Sequence, residues 1–321
     1  MTEFGYTALC EQVPAKQLVT DLVAAELAGF DFSVMSDHYF PWIEEQGHSP
    51  NAWVVLGSAA QATEQLPLMT FVTCPTFRYH PAVIAQQAAT LSVLSSGRFT
   101  LGLGAGENLN EHVIGAGWPM PRVRHERLDE AVQIIRALFS GDYVNFHGKH
   151  FTVERAKLYD LPGAPPSIGI AVSGEGSLRV AAAHADCMIA TQPDGGLVRG
   201  FEVAAGENKP KYGQLPVCYD RDEKAALTLA RELWRWALPG WHVMSELPDP
   251  RAFDMASENV REEDVASRVP CGPDVGKYVK AAKEWVDAGF THIALVQVGA
   301  GLQSDFIAWA RAELLPALRE L

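Results

Sequence analysis

Short apolar runs alternate along the chain with stretches whose apolar residues recur every three or four positions. FGYTAL precedes a helical stretch from about Ala15 to Ala28, and FDFSVMS precedes another around Trp53 to Thr63. LPLMTFVT is followed by a helical stretch from Pro81 to Leu94 and then by FTLGLGAG. This rhythm predicts βα units and a parallel sheet. A long helix is predicted over Arg122 to Phe139, where Val123, Leu128, Ala131, Ile134, Ile135 and Leu138 keep helical spacing and Gly141 stops it. DYVNFHGKHFTV then holds two β-rich runs around His147, Gly148 and Lys149, the pattern of a hairpin inserted over about 142–153.

The rhythm resumes with SIGIAVSG, a helix from about Ser177 to His184, DCMIAT, LPVCYD and a helix from Lys224 to Ala237. A helix from Pro273 to Ala288, THIALVQV and a terminal helix from Ser304 complete it. About eight strands, most followed by a helix, predict an α/β fold: one (β/α)8 barrel domain spanning 1–321 rather than an open doubly wound sheet. The stretch over about 239–272 breaks the rhythm and reads as an irregular loop insertion, of the kind that is usually functional.

A chain of 321 residues fits one large barrel, and its 48% hydrophobic and 20% charged residues suffice for a sizeable core. The net charge of −13 argues against nucleic acid or an anionic membrane as partner, since both select clustered Lys and Arg. MTEFGYTALCEQ has no basic or apolar leader and no run of about 18 apolar residues occurs later, so a soluble, cytoplasmic protein is expected. Cys10, Cys74, Cys187, Cys218 and Cys271 form no C-x-x-C pair, and the histidines keep no ligand spacing, so neither a disulfide framework nor a metal is expected.

In a β/α barrel the chemistry sits just after each strand. His38, after FDFSVMS, is a candidate base that takes a hydroxyl proton as hydride leaves the same carbon, or else a capping histidine. Trp42 would stand beside it. Glu107, in GLGAGENLNEH, is a candidate proton donor beside a flat ring, or else a helix cap. The spacing G-x-G-x-G-E there is a poor match to a dinucleotide-binding loop. Glu11, after the first strand, either lines the same cavity or is a surface acid. VSGEGS over 172–177 sets glycines and a serine at a helix start, where free amides favour a phosphate. No G-x-S-x-G elbow occurs, which weakens a hydrolase reading.

GYTALCEQ, SDHYFPW, CPTFRYHPA, GRFTLGLGAGENLNEH, LFSGDYVNFHGKHF and SIGIAVSG, in this order, resemble the F420-dependent glucose-6-phosphate dehydrogenase group of the luciferase-like oxidoreductases over nearly the whole chain. The resemblance implies the deazaflavin F420 lying across the carboxyl end of the barrel, with FMN as the alternative. Asp37, Cys74, Pro75, Ala105, Asn110, Ser173, Gly174, Gly176 and Ser177 match coenzyme-binding positions, and a non-proline cis peptide at Phe71–Val72 would prop the ring. Catalytic positions fall on His38 and Glu107, with Trp42 stabilising the intermediate and Glu11 close by.

The substrate positions of that group fall on Thr191, Asp194, Met244 and Arg268. Of three basic residues that grip a sugar phosphate there, only the arginine is kept. An aspartate in place of a lysine turns attraction into repulsion worth at least about 1 kcal/mol at ~4 Å in water. Glucose 6-phosphate is therefore expected to be a poor substrate, and an uncharged alcohol, hemiacetal or related carbonyl compound the better one. The rival readings are an FMN- or reduced-F420-dependent monooxygenase or reductase and a catalytically silent coenzyme-binding protein. Because His38, Trp42 and Glu107 are all present, the silent reading is disfavoured. A homodimer is expected, as the commonest oligomer.

Overall fold

Strands buried on both faces can be apolar throughout, and the apolar runs of this chain form such strands. In the computed structural model, which describes residues 2–321, eight parallel strands close a barrel. They are β1 (Glu3–Ala8), β2 (Phe32–Met35), β3 (Leu68–Thr70), β4 (Phe99–Leu103), β7 (Ser167–Ala171), β8 (Cys187–Ala190), β9 (Lys211–Val217) and β10 (His292–Gln297), which pairs back onto β1. Phe32, Val34, Met69, Phe71, Cys187, Ile189 and Ala294 fill the interior. Phe32 meets Tyr212 edge to face at 5.3 Å. Gly5 makes that plug possible, because a Cβ there would lie 2.4 Å from the Phe32 ring.

The outer layer comprises α1 (Ala15–Ala28), α2 (Ala52–Ala62), α3 (Pro81–Leu94), α5 (Pro121–Leu138), α6 (Glu175–His184), α7 (Gly195–Ala205), α8 (Glu223–Trp234), α12 (Val275–Asp287) and α13 (Gln303–Trp309). A short α4 (Asn108–Glu111) follows β4. The expected hairpin is formed by β5 (Val144–His147) and β6 (Thr152–Ala156), with a register shift between Val144 and Phe146. Its turn is held by Glu130 of α5, whose carboxylate accepts from the amides of Lys149, His150 and Phe151 at 2.7, 2.9 and 3.0 Å.

The segment expected to be irregular over 239–272 is instead organised into α9 (Trp241–Met244), α10 (Pro250–Ser257) and α11 (Glu262–Ala266). Asp249 caps α10 by accepting from the Ala252 amide at 2.9 Å, and Pro250 supplies the first turn. Met244, Phe253 and Val265 are buried in a second core beside Trp42 and Trp236. Helices this short show too few turns for a 3.6-residue period to register in sequence; packing, not propensity, holds them.

Candidate active site

Glu11, His38 and Glu107 follow β1, β2 and β4, so the barrel brings them to one end. His38 Nδ1 lies 3.2 Å from the Phe40 carbonyl oxygen and 3.2 Å from Glu11 Oε1. Both neighbours are acceptors, so in its neutral form the imidazole carries its proton on Nδ1 and leaves the Nε2 lone pair free. Nε2 lies 3.7 Å from Glu107 Oε1, beyond hydrogen-bonding distance. Glu11 is 1% exposed, and its Oε2 has no partner.

Asn110 sets the other side of this gap. Its Oδ1 accepts from the amides of Tyr39 at 2.7 Å and Phe40 at 3.1 Å, which leaves Nδ2 to donate to Glu107 Oε1. Glu107 Oε1 is thereby an acceptor, and a proton carried by this carboxyl resides on Oε2. The Trp42 ring meets His38 edge-on at 4.6 Å and stacks on Trp236 at 4.1 Å with 6° between planes. Phe253 of α10 abuts it at 5.2 Å, so the 239–272 segment packs behind the apolar Trp42 side of the site.

Asp37 is buried, and its carboxylate is saturated by protein: Oδ2 accepts from Thr73 Oγ1 at 2.8 Å and Trp53 Nε1 at 3.2 Å, and Oδ1 from Arg78 Nη2 at 3.2 Å and Tyr79 OH at 3.3 Å. Arg78 also reaches Glu111, whose Oε2 accepts from the Arg78 amide at 2.9 Å. Burial pushes the Glu111 carboxyl up to about 7, against the opposing pull of the Arg78 guanidinium. Arg78, Glu111, Trp236 and Phe253 escaped the sequence reading. The recurrence of Glu four residues after Glu107 in ENLNE was a usable signal for the second acid, since both fall on one helical turn.

The Phe71–Val72 peptide bond is cis. Gly104 lies against Val72, and a Cβ there would meet Val72 Cγ2 at 2.6 Å. Gly106, at φ +82, would carry a Cβ into Cys74 Sγ at 2.7 Å. Half-buried Ala105 stands between these glycines, beside buried Cys74 and Pro75. Burial pushes the Cys74 thiol up, so it stays protonated. The exposed Ser173 donates its amide to Ser177 Oγ at 3.0 Å, and Gly174, which precedes α6, has open space where a Cβ would stand. A Cβ at Gly176 would meet the His125 ring at 2.5 Å. A flat coenzyme fits two of these observations: open space at Gly174 with uncapped amides at the α6 N-terminus for a phosphate, and a buried Glu11 Oε2 without a partner beside His38.

The four substrate positions separate. Met244 is buried with Trp42 and Trp236, whereas Thr191, Asp194 and Arg268 are exposed. Asp194 Oδ1 caps α7, accepting from Gly196 at 2.7 Å and Leu197 at 3.2 Å. Its carboxylate is therefore used by the fold, and only Met244 joins the packed wall beside Trp42.

A sequence model of the luciferase-like monooxygenase family matches residues 2–292. F420-dependent glucose-6-phosphate dehydrogenase of Beutenbergia cavernae is 35% identical, over 99% of this chain and 98% of its own. F420-dependent hydroxymycolic acid dehydrogenase of Mycobacterium tuberculosis is 37% identical, over 96% of this chain and 86% of its own. Among solved structures, an F420-dependent secondary alcohol dehydrogenase in complex with an F420-acetone adduct superposes with a TM-score of 0.90 at 28% identity, covering 99% of both chains. The chain belongs to the luciferase-like family and, within it, to the group of the F420-dependent glucose-6-phosphate dehydrogenases.

Proposed function

We propose that this protein is an F420-dependent dehydrogenase that moves a hydride between an uncharged alcohol and the deazaflavin, with glucose 6-phosphate a poor substrate. The observation that carries it is the free Nε2 of His38, held by Glu11 behind and facing Glu107 across 3.7 Å. F420, when bound, supplies the hydride acceptor or donor. His38 Nε2 takes the hydroxyl proton of the alcohol as its carbinol C–H bond gives up hydride. Glu11 then sits 3.2 Å from the imidazolium and stabilises it. Glu107 holds the second proton at Oε2, and Trp42, fixed by Trp236, keeps water out of the gap.

The apolar cluster of Trp42, Trp236, Phe253 and Met244, which packs beside His38 through Trp42, supports a neutral substrate. The glucose-6-phosphate group itself and the dehydrogenases of hydroxymycolic acid and of secondary alcohols supply the range of alcohols to test. Anaerobic loss of F420 absorbance with neutral secondary alcohols, and little with glucose 6-phosphate, is the expected result. Turnover of glucose 6-phosphate at comparable kcat/KM overturns the substrate reading, and oxygen consumption with FMN overturns the coenzyme reading.

The enzyme is further inferred to be one barrel domain that works in the cytoplasm as a homodimer, with a small molecule and no nucleic acid as its partner. Five buried free cysteines and a net charge of −13 support the compartment and the absence of nucleic acid. Among the described residues no helix is long and apolar enough to cross a membrane. Exposed Val54 on α2 and Val83, Val93 and Leu94 on α3 support an apolar face for a second copy. Sedimentation at micromolar concentration should give twice the 35.0 kDa chain mass.

A further inference from the structure

Three loops of the site converge on one side chain that contacts neither proton-transfer group by a hydrogen bond. Arg78, in the loop after β3, donates through Nη2 to the Asp37 carbonyl at 2.7 Å and to Asp37 Oδ1 at 3.2 Å. Its amide donates to Glu111 Oε2 at 2.9 Å, and its Nε lies 3.6 Å from Glu111 Oε1. Asp37 immediately precedes His38 in the loop after β2, and Glu111 follows Glu107 on α4 after β4. The two carboxylate side chains are 0% and 1% exposed, and among the described residues each forms an ion pair with Arg78 alone. The Arg78 guanidinium hydrogen-bonds Asp37 while its main-chain amide hydrogen-bonds Glu111, so side chain and backbone of one residue link the two loops, and removing the guanidinium leaves the buried Asp37 without its ion-pair partner, which is costly.

We propose that Arg78 is a positioning residue for the reaction: by tying Asp37 to Glu111 it sets the span between His38 Nε2 and Glu107. This rests on the reading of His38 and Glu107 as the proton-transfer pair. Asn110 supplies a second tie between the same loops, but it bonds Glu107 directly and so belongs to the site itself. Arg78 acts one step removed, and its loss lets the β2 and β4 loops drift while the ligating groups remain. A misplacement of about 1 Å at reacting groups can cost about 10²-fold in rate.

The test compares Arg78→Gln and Arg78→Lys with Arg98→Gln. Arg98 is a fair control because its guanidinium donates only to the carbonyls of Ala60, Thr63 and Leu66 and to the Thr63 hydroxyl, away from the site. Four quantities are read: melting temperature, F420 affinity from quenching of coenzyme fluorescence, kcat and KM for a neutral alcohol, and the His38–Glu107 separation in crystals. Arg78→Gln is expected to lower kcat about 10²-fold, to change KM little, and to widen the His38–Glu107 gap by about 1 Å. Arg78→Lys should restore most of the melting temperature and only part of kcat, since a point charge cannot fork. Arg98→Gln should lose melting temperature with kcat intact. An Arg78→Gln protein with kcat within about threefold of wild type and an unchanged gap overturns the proposal, and so does a parallel loss of kcat in Arg98→Gln. Should the wild-type protein turn over no alcohol at all, the proposed function fails, and the crystallographic separation still decides whether Arg78 sets the gap.

Discussion

Glu11 combines two effects of opposite sign. It is nearly fully buried, one oxygen faces His38 Nδ1 at 3.2 Å, and the other has no partner. Folding therefore places a half-satisfied carboxylate in the barrel mouth, which is costly unless the charge is used. Proton uptake by His38 uses it, because a charge-assisted bond to an imidazolium is about twice as strong as its neutral counterpart. Glu11→Gln should then lower kcat about 10- to 30-fold, corresponding to roughly 1–2 kcal/mol of lost stabilisation, while leaving the melting temperature unchanged or raised. Stopped-flow reduction of F420 together with calorimetry checks both halves, and a fall in stability without a fall in kcat contradicts the assignment. Met244 is the second test at this scale. Met244→Lys puts an ammonium into the apolar core that holds Trp42 and Trp236, and should lower activity toward neutral alcohols by raising KM without improving glucose 6-phosphate more than a few-fold, because a cation buried among apolar side chains is costly to hold there.

At the scale of elements, the outcome hinges on α10. Eight residues cannot hold a helix in water, so the order of this segment depends on the Asp249 cap and on Phe253, which is fully buried against Trp42. Phe253→Ala should cost about 3–5 kcal/mol by leaving a cavity. Limited proteolysis should then cut within 239–272 before the barrel, and KM should rise because Trp42 loses its edge contact. The same dependence explains what could be read from sequence. β1 to β4, the hairpin and α5 declared themselves because their periods run through whole strands or several helical turns, and His38, Glu107 and Trp42 were found because they follow apolar runs. Arg78 stayed hidden because its partners Asp37 and Glu111 lie 41 and 33 positions away, in loops brought together only by closing the barrel. Asp194 was legible as a charge but not as a cap, since nothing local separates a substrate contact from a helix start.

For the molecule as a whole, the end of the barrel opposite the site holds a histidine whose burial opposes its protonation. His292 opens β10, half-enclosed between Phe32 and Tyr212, whose ring lies 4.2 Å away. Burial pushes its imidazole down to about 4, partly countered by Asp31. An imidazole whose folded value is depressed is favourable above its unfolded value of about 6.5, and that stability is lost as pH falls toward 4, because unfolding then releases a group that takes up a proton readily. The displacement corresponds to at most about 3 kcal/mol, and Glu3, whose Oε2 lies 3.2 Å from Nε2, would stabilise the imidazolium and reduce it. Asp21 on α1 works in the other direction, since burial raises it to about 6 and its contribution is lost as pH rises from about 4 toward 6. His292→Phe removes the first effect and keeps the ring packing, so its melting temperature should fall less than that of wild type between pH 6.5 and 4.5. Calorimetric scans of both proteins across that window decide it: parallel curves would assign the acid sensitivity to other groups, and a shallower slope in the variant would assign it to this end of the barrel.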